Sequence, residues 1–345
     1  MSSKVIEFFQ YLPNSLFPHL QMSALNATGH VTETLASSPL YQSTNLSQMS
    51  LIESWWARYY AYIGDPLIAT ALLIFLNHEI VYFGRSLPFC IMDTMPYFRK
   101  WKIQPTKIPT VKAQWDVAMH MLFCHFTMEL PLIGGFHPLC VYLGLATHEL
   151  PFPTWTKIAW QIALFFVIED TVHYWMHRWL HTPKLYKMIH KVHHEFPAPF
   201  GLVAEYAHPL EVLILGAGTI GGPIVFCAIT HDLHLFTVLV WMTLRLFQAV
   251  SAHSGYDFPW SMHNWFPLWA GAEHHDYHHM AFVNNFSSSF RHWDYFFGTD
   301  TKYHAYKARL RAAKNQAERQ RLQKVEDEKA EAEGIVAANE TCAKA

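Results

Sequence analysis

Residues 212–230 read VLILGAGTIGGPIVFCAIT, an apolar run without a single charge. A helix crosses the hydrocarbon core of a bilayer in about 20 residues, so this run alone is long enough to span. A second apolar run at residues 233–244 follows almost at once, and the two are expected to pair as a helical membrane hairpin. Residues 66–84, 117–150 and 158–172 are weaker candidates, because Asn77, His78, Glu79, Glu129, Pro131 and Glu169 interrupt them. The expected fold is an all-α integral membrane protein with about 4 to 5 membrane segments carrying a helical, histidine-rich metal domain on its cytosolic side.

Composition agrees with a membrane setting. Hydrophobic residues make up 51% of the 345-residue chain and charged residues only 15%, where roughly a quarter charged is usual for soluble domains. The net charge of −2, without a basic stripe bearing base-stacking aromatics, argues against a nucleic-acid partner. The five cysteines, Cys90, Cys124, Cys140, Cys227 and Cys342, form no C-x-x-C pair, which excludes an all-cysteine zinc site and leaves ordinary thiols. The opening MSSKVIEFFQ lacks the continuous apolar core of a signal peptide, so the membrane segments themselves are expected to direct insertion.

Three regions follow from these shifts in character. Residues 1–50 are expected to be a poorly ordered polar leader with one short helix near residues 5–12, residues 51–304 a membrane-embedded domain, and residues 305–345 a charged, solvated helical tail.

Histidines flank the hairpin on both sides. His173 and His177, then His190, His193 and His194, precede it, and His275, His278 and His279 follow it. Residues three and four apart share one helix face, so each group can aim several imidazoles at one point. Burying that many unsatisfied ring nitrogens would be costly without a ligand role. Eight imidazoles exceed what one tetrahedral or octahedral ion takes, so two ions are expected. Imidazole suits iron, zinc, copper and nickel alike, which leaves a structural di-zinc site or an oxygen-activating di-iron site.

His253, in HSGYD at the end of the hairpin, is expected as a ninth ligand. His274 stands beside the last group as a further metal or supporting residue. Glu169, Asp170, Glu273 and Asp276 are placed to accept the second N–H of ligand imidazoles or to act as ordinary helix charges. The isolated His78, His120, His125, His137 and His148 read as packed or hydrogen-bonded structural residues.

Positive charge suggests the orientation. Arg85, Arg99, Lys100, Lys102, Lys107 and Lys112 fill one loop, Arg178, Lys184, Lys187 and Lys191 surround the first two histidine groups, and the chain is basic again from Arg291. The positive-inside tendency puts all three regions in the cytosol, and a two-pass hairpin returns the chain to the side it left. The three histidine groups are thus expected to meet on one cytosolic face. The stretch YFRKWKIQPTKIPTVKAQW, residues 97–115, reads as a loop held at the headgroups.

Four stretches carry a resemblance to a known family: EDTVHYWMHRWLH at 169–181, HKVHHEFPAPFGLVAEYAHPLE at 190–211, RLFQAVSAHSGYDFPWS at 245–261 and WAGAEHHDYHHMAF at 269–282. They resemble the sterol C4-methyl oxidases, or methylsterol monooxygenases, of the membrane di-iron fatty acid hydroxylase and sterol desaturase superfamily. The resemblance implies oxidation of a sterol C4 methyl through alcohol and aldehyde to carboxylate, ahead of decarboxylation by a separate sterol C4 decarboxylase complex. It also implies two iron ions, dioxygen, and electrons from a reduced nicotinamide cofactor through cytochrome b5 and its reductase, in the endoplasmic reticulum membrane. Carried over by motif, the ligands are His173, His177, His190, His193, His194, His275, His278 and His279, while His253 and His208 match further family histidines.

Two departures stand out. NNFSSSFRHWD at 284–294 places His292 where relatives carry an aromatic, which bears on substrate fit, and the terminal ETCAKA lacks a lysine retrieval pair. The alternatives are a sterol desaturase or fatty acyl hydroxylase built on the same centre, and a non-catalytic zinc-bound membrane scaffold.

Overall fold

The computed structural model describes residues 38–41 and 49–343. The expected leader helix near residues 5–12 lies outside them.

Helix α1 (Leu51–Ile63) starts at a capping box, in which Ser50 and Glu53 each serve the other's backbone N–H, and stops at Gly64 with a left-handed φ of 78°. Asp65 caps α2 (Pro66–Thr94), accepting from the N–H groups of Leu67 and Ile68. Helix α3 (Val111–Cys124) passes through a π-helical turn at His125–Glu129 into α4 (Leu130–Tyr142), so the two run as one 32-residue rod. After a two-residue strand β1 (Leu145–Ala146), α5 (Trp155–Leu180) carries the first histidines. Helices α6 (Pro209–Thr219) and α7 (Gly221–Thr230) follow, then β2 (Leu233–His234), which pairs in parallel with β1, and α8 (Leu235–Ala252). The chain ends with α9 (Gly271–Ala281), α10 (His292–Phe297) and α11 (Thr301–Ala343).

Among the described residues, four helical stretches are long and apolar enough to cross a membrane: Pro66–Thr94, Val111–Tyr142, Pro209–Thr230 and Leu235–Ala252. This is the lower end of the expected range. Residues 158–172 lie in α5, which is not among the four because its inner face carries Glu169, Asp170 and the first histidines, turned into the protein. The segment 212–230 is split at Ile220, and residues 233–244 extend to Ala252. Lipid contact is written on α2, where Leu72, Leu76, Ile80, Leu87 and Ile91 form an exposed apolar stripe of helical spacing. In water such a stripe would be a liability; against acyl chains it is the preferred surface.

Inside, α8 packs along α2 and α9, and α5 packs along α6. One apolar core gathers Trp56, Tyr60, Phe165 and Trp241, and a second gathers Tyr82, Phe89, Phe200, Val203 and Val250. The approach of α6 and α7 to α5 depends on missing side chains: a Cβ on Gly218 would sit 3.2 Å from Val172 and 3.4 Å from the Glu169 carbonyl, and one on Gly222 3.1 Å from Ile168. Small residues let membrane helices come this close.

The basic loop is anchored rather than free. Pro96–Trp101 forms a 3-10 turn, and Lys102 then reaches back to Asp93 at 2.5 Å, with Tyr256 Oη and Gln114 Nε2 donating to the same carboxylate at 2.8 and 2.9 Å. Ile103 N–H donates to Gly255 O and Asp257 N–H to Trp101 O, so the HSGYD segment and the loop hold each other. Gly255 has φ +70°, and a Cβ there would meet the Pro199 carbonyl at 2.8 Å. Residues 308–326 of α11 are solvent-exposed.

Candidate metal centre

The last turns of α5, a π-helical turn at Tyr186–His190, a 3-10 turn at His193–Glu195, the C-cap of α8 and helix α9 converge at one place. They bring two groups of imidazoles together. In the first, His177, His181, His190, His194 and His278 each offer a ring nitrogen within 4.8 Å of the others; in the second, His193, His253, His275 and His279 do the same. The groups adjoin, with the rings of His194 and His279 4.7 Å apart.

Hydrogen bonds at the outer edge of six of the nine rings fix which nitrogen carries the proton. Nδ1–H of His177 donates to Phe286 O at 2.8 Å, that of His278 to Asn284 O at 2.6 Å, that of His193 to Tyr206 O at 3.1 Å, that of His253 to Ala249 O at 2.8 Å and that of His279 to Phe196 O at 3.2 Å. His190 Nδ1–H donates to the Glu211 carboxylate at 2.7 Å. A carbonyl or carboxylate cannot donate, so the Nε2 lone pairs are left facing inward.

The Nε2 atoms of the two groups face one another. His177 Nε2 and His194 Nε2 each lie 3.1 Å from His190 Nε2, His278 Nε2 lies 3.1 Å from both His181 Nε2 and His194 Nε2, and His253 Nε2 lies 3.2 Å from His193 Nε2 and 2.8 Å from His275 Nε2. His279 Nε2 has no hydrogen-bond partner. Two acceptors cannot bond each other, but metal–nitrogen bonds of about 2.0–2.1 Å place neighbouring ligands at about this separation. The residues therefore fit a pair of metal ions held by imidazole.

Electrostatics favour the ligand form. Burial lowers the imidazoles of His177 and His253 to about 4 and that of His181 to about 2. It drives those of His173, His190, His193, His275, His278 and His279 well below the ordinary value. Near neutral pH the rings are uncharged and free to coordinate.

Eight of the nine sequence-selected histidines fall in the two groups; His173 does not. Its ring lies 5.1 Å from that of His177, and its Nδ1 is 3.5 Å from Glu169. His208 caps α6, accepting from Leu210 N–H at 3.2 Å, and so is turned to the backbone. His274 is fully buried 3.4 Å from Asp294. Asp294 in turn accepts from the N–H groups of Phe286 and Ser287 at 2.9 Å, while Asn285 Nδ2 donates to His274 O. Together they brace the 284–289 loop, whose carbonyls hold His177 and His278.

Glu169 pairs with Arg245 at 2.7 Å. Asp170 accepts from Ser289 and Phe290 N–H at 2.7 and 3.0 Å, and burial raises its carboxyl to about 7. Asp276 accepts from Gln104 Nε2 at 2.8 Å and is raised to about 6, again by burial. Neither aspartate holds a ligand ring directly; each fastens a segment that does. His292 Nδ1 lies 3.7 Å from Asp170.

Sequence reasoning missed His181, Glu211 and the carbonyls of Asn284 and Phe286. A signal for His181 existed: it follows His177 by one helical turn, continuing the H-x-x-x-H spacing.

Residues 162–299 match the model of the fatty acid hydroxylase family. Over 79% of its length the chain is 56% identical to the C-4 methylsterol oxidase of Schizosaccharomyces pombe, covering 90% of that protein. It is 54% identical to the C-4 methylsterol oxidase of Candida albicans over 82% of this chain and 92% of that one. It is also 39% identical to methylsterol monooxygenase 1 of Rattus norvegicus over 84% and 94%. No solved structure matches.

Proposed function

The chain belongs to the C-4 methylsterol oxidase, or methylsterol monooxygenase, family, and from that membership we propose that it oxidises the C4 methyl of 4,4-dimethyl or 4-methyl sterols stepwise, through alcohol and aldehyde to carboxylate, using two iron ions. It is an oxidoreductase of the monooxygenase class, and sterol C4-methyl oxidation is the chemistry of the relatives it matches along most of its length. The observation that carries the reading is the pair of adjacent imidazole groups, six of whose nine Nδ1 atoms are pinned outward while the Nε2 atoms converge.

One ion is assigned to His177, His181, His190, His194 and His278, and the other to His193, His253, His275 and His279, with His173 beside the pair. Bound iron would supply the one-electron and dioxygen chemistry that an unactivated methyl group requires, since acid and base do not touch such a C–H bond. The chain's own residues place and protect that chemistry. The carbonyls of Asn284, Phe286, Tyr206, Ala249 and Phe196 hold the imidazoles in the coordinating tautomer. Glu211 accepts from His190 Nδ1–H and so holds that ring's orientation. Phe282 and Phe286 lie against His194 and His278 and keep water from that side.

The sterol is assigned an approach from the bilayer, between apolar helices. The centre is assigned to the cytosolic side of the endoplasmic reticulum membrane, on the clustering of basic residues beside it. Dioxygen is the co-substrate. Electrons are assigned to a reduced nicotinamide cofactor through cytochrome b5 and its reductase, and the carboxylated product to a sterol C4 decarboxylase complex.

The test uses microsomes expressing the chain or its His193→Ala or His278→Ala variant, supplied with 4-methyl sterol, oxygen and reduced nicotinamide cofactor. Wild type should consume the sterol, and either variant should insert normally and consume none. Turnover by either variant sinks the reading. A new sterol double bond or a hydroxylated acyl chain, identified by mass spectrometry, would replace it with desaturation or acyl hydroxylation.

A further inference from the structure

Outside the histidine centre, His78 and Glu79 on α2, His125 and Glu129 on the π-helical turn, and Glu205 on a 3-10 turn (Gly201–Glu205) meet in a second polar cluster. Ionisable residues within membrane-spanning helices are costly and mark function by default, and π-helical turns recur at such places. His125 is fully buried. Tyr82 walls the cluster, its ring parallel to that of His78 at 6.2 Å and roughly perpendicular to that of His125 at 5.2 Å.

The ring nitrogens are over-supplied with acceptors. His125 Nδ1 donates to Glu79 at 2.7 Å, which leaves its Nε2 as a lone pair aimed at Glu205 at 3.3 Å and Glu129 at 3.9 Å. That nitrogen and Glu205 Oε2 are both buried without a hydrogen-bond partner. His78 Nε2 lies 3.0 Å from Glu205, and its Nδ1 lies 3.3 Å from Glu79 and 3.5 Å from Glu129. All four ring nitrogens thus face carboxylates, while two neutral imidazoles have only one N–H each. Among the described residues no lysine or arginine pairs with the three glutamates.

These groups call for positive charge, which protons on the imidazoles or one bound ion can supply. Charge-assisted hydrogen bonds close to about 2.7–2.9 Å, and only the Glu79 contact to His125 does so. His78 Nε2–H donates to Glu205 at 3.0 Å, which leaves Nδ1 of that ring 3.5 Å from Glu129, and His125 Nε2 lies 3.9 Å from the same carboxylate; both separations are too long for bonds of that kind and suit neighbouring ligands of one ion.

We propose that His78, His125 and Glu129 form a metal site separate from the histidine centre, taking one divalent transition-metal ion, with Glu79 orienting His125 and Glu205 orienting His78. Mixed imidazole and carboxylate donors suit iron and manganese, whereas an all-imidazole centre has no carboxylate to offer manganese. Glu205 precedes Tyr206, whose carbonyl holds His193, so the site also ties α2 and the π-helical turn to the loop supporting the centre.

Mn2+ separates the two sites without reading sterol turnover. Full-length protein in detergent, stripped with chelator and titrated with Mn2+ by electron paramagnetic resonance, should bind one ion per chain. Binding should persist in His278→Ala and in Glu129→Asp, which keeps a carboxylate. In His125→Ala and Glu129→Gln it should weaken by at least about 100-fold, the upper end of the loss from an outer partner alone. Absence of Mn2+ binding in wild type overturns the proposal whatever the variants do. So does binding unchanged in both His125→Ala and Glu129→Gln, the result expected if the cations among these groups are protons on the two imidazoles.

Discussion

The outer partner of each imidazole decides what its inner nitrogen can do. His190 makes the strongest case, because Glu211 is the one carboxylate among the Nδ1 acceptors of the two groups. Glu211→Ala should lower iron affinity or turnover by about 10–100-fold, read by metal content after dialysis; unchanged content would remove Glu211 from the centre. Burial holds the rings of His177 and His253 near 4, whereas in the unfolded chain they titrate near about 6.5. Between those values the unfolded chain binds protons that the folded chain refuses, so stability rises with pH. Chelator-treated protein should keep this contribution above about pH 6.5 and lose it as pH falls toward 4. Thermal unfolding in about one-unit pH steps would show it, and a melting temperature rising on acidification would contradict it. At this scale the sequence made eight of the nine grouped histidines legible, because helical spacing places side chains in space. Glu211 and the carbonyls of Asn284 and Phe286 were not legible, since a backbone oxygen has no signature and Glu211 is distant in sequence from the ring it holds.

Helix α6 shows what apolar pattern can and cannot tell. The run 212–230 announced a crossing element, but its break at Ile220, between Thr219 and two glycines, is a matter of packing. Gly218 allows α6 to press on α5 just where Glu169 and Asp170 face inward. Gly218→Leu should force the helices apart and cost about 1–3 kcal/mol, seen as a lower unfolding temperature with reduced metal retention. Wild-type stability in that variant would show that the close approach is not needed. The acidic pair Glu169 and Asp170 explains why residues 158–172 looked only weakly like a membrane segment: the helix faces a metal centre as well as apolar neighbours. In the same way His78 and His125, each unremarkable alone in sequence, become a cluster only because α2 and the π-helical turn bring them together.

At the scale of the whole molecule, the fold joins apolar helices to a polar centre assembled from four separated chain segments. The sequence identified the membrane class and the histidine stretches, because composition and spacing are local properties. It did not reveal how the 284–294 segment closes over the centre, which depends on Asp294 gathering backbone N–H groups that only the fold brings within reach. The account stands or falls on whether oxygen from dioxygen enters the sterol at C4. Membranes carrying the chain, supplied with 4,4-dimethyl sterol, reduced nicotinamide cofactor and oxygen-18 gas, should yield a C4 carbinol or carboxylate bearing the heavy isotope. Unlabelled C4 products, or label found only in an acyl chain, would contradict it.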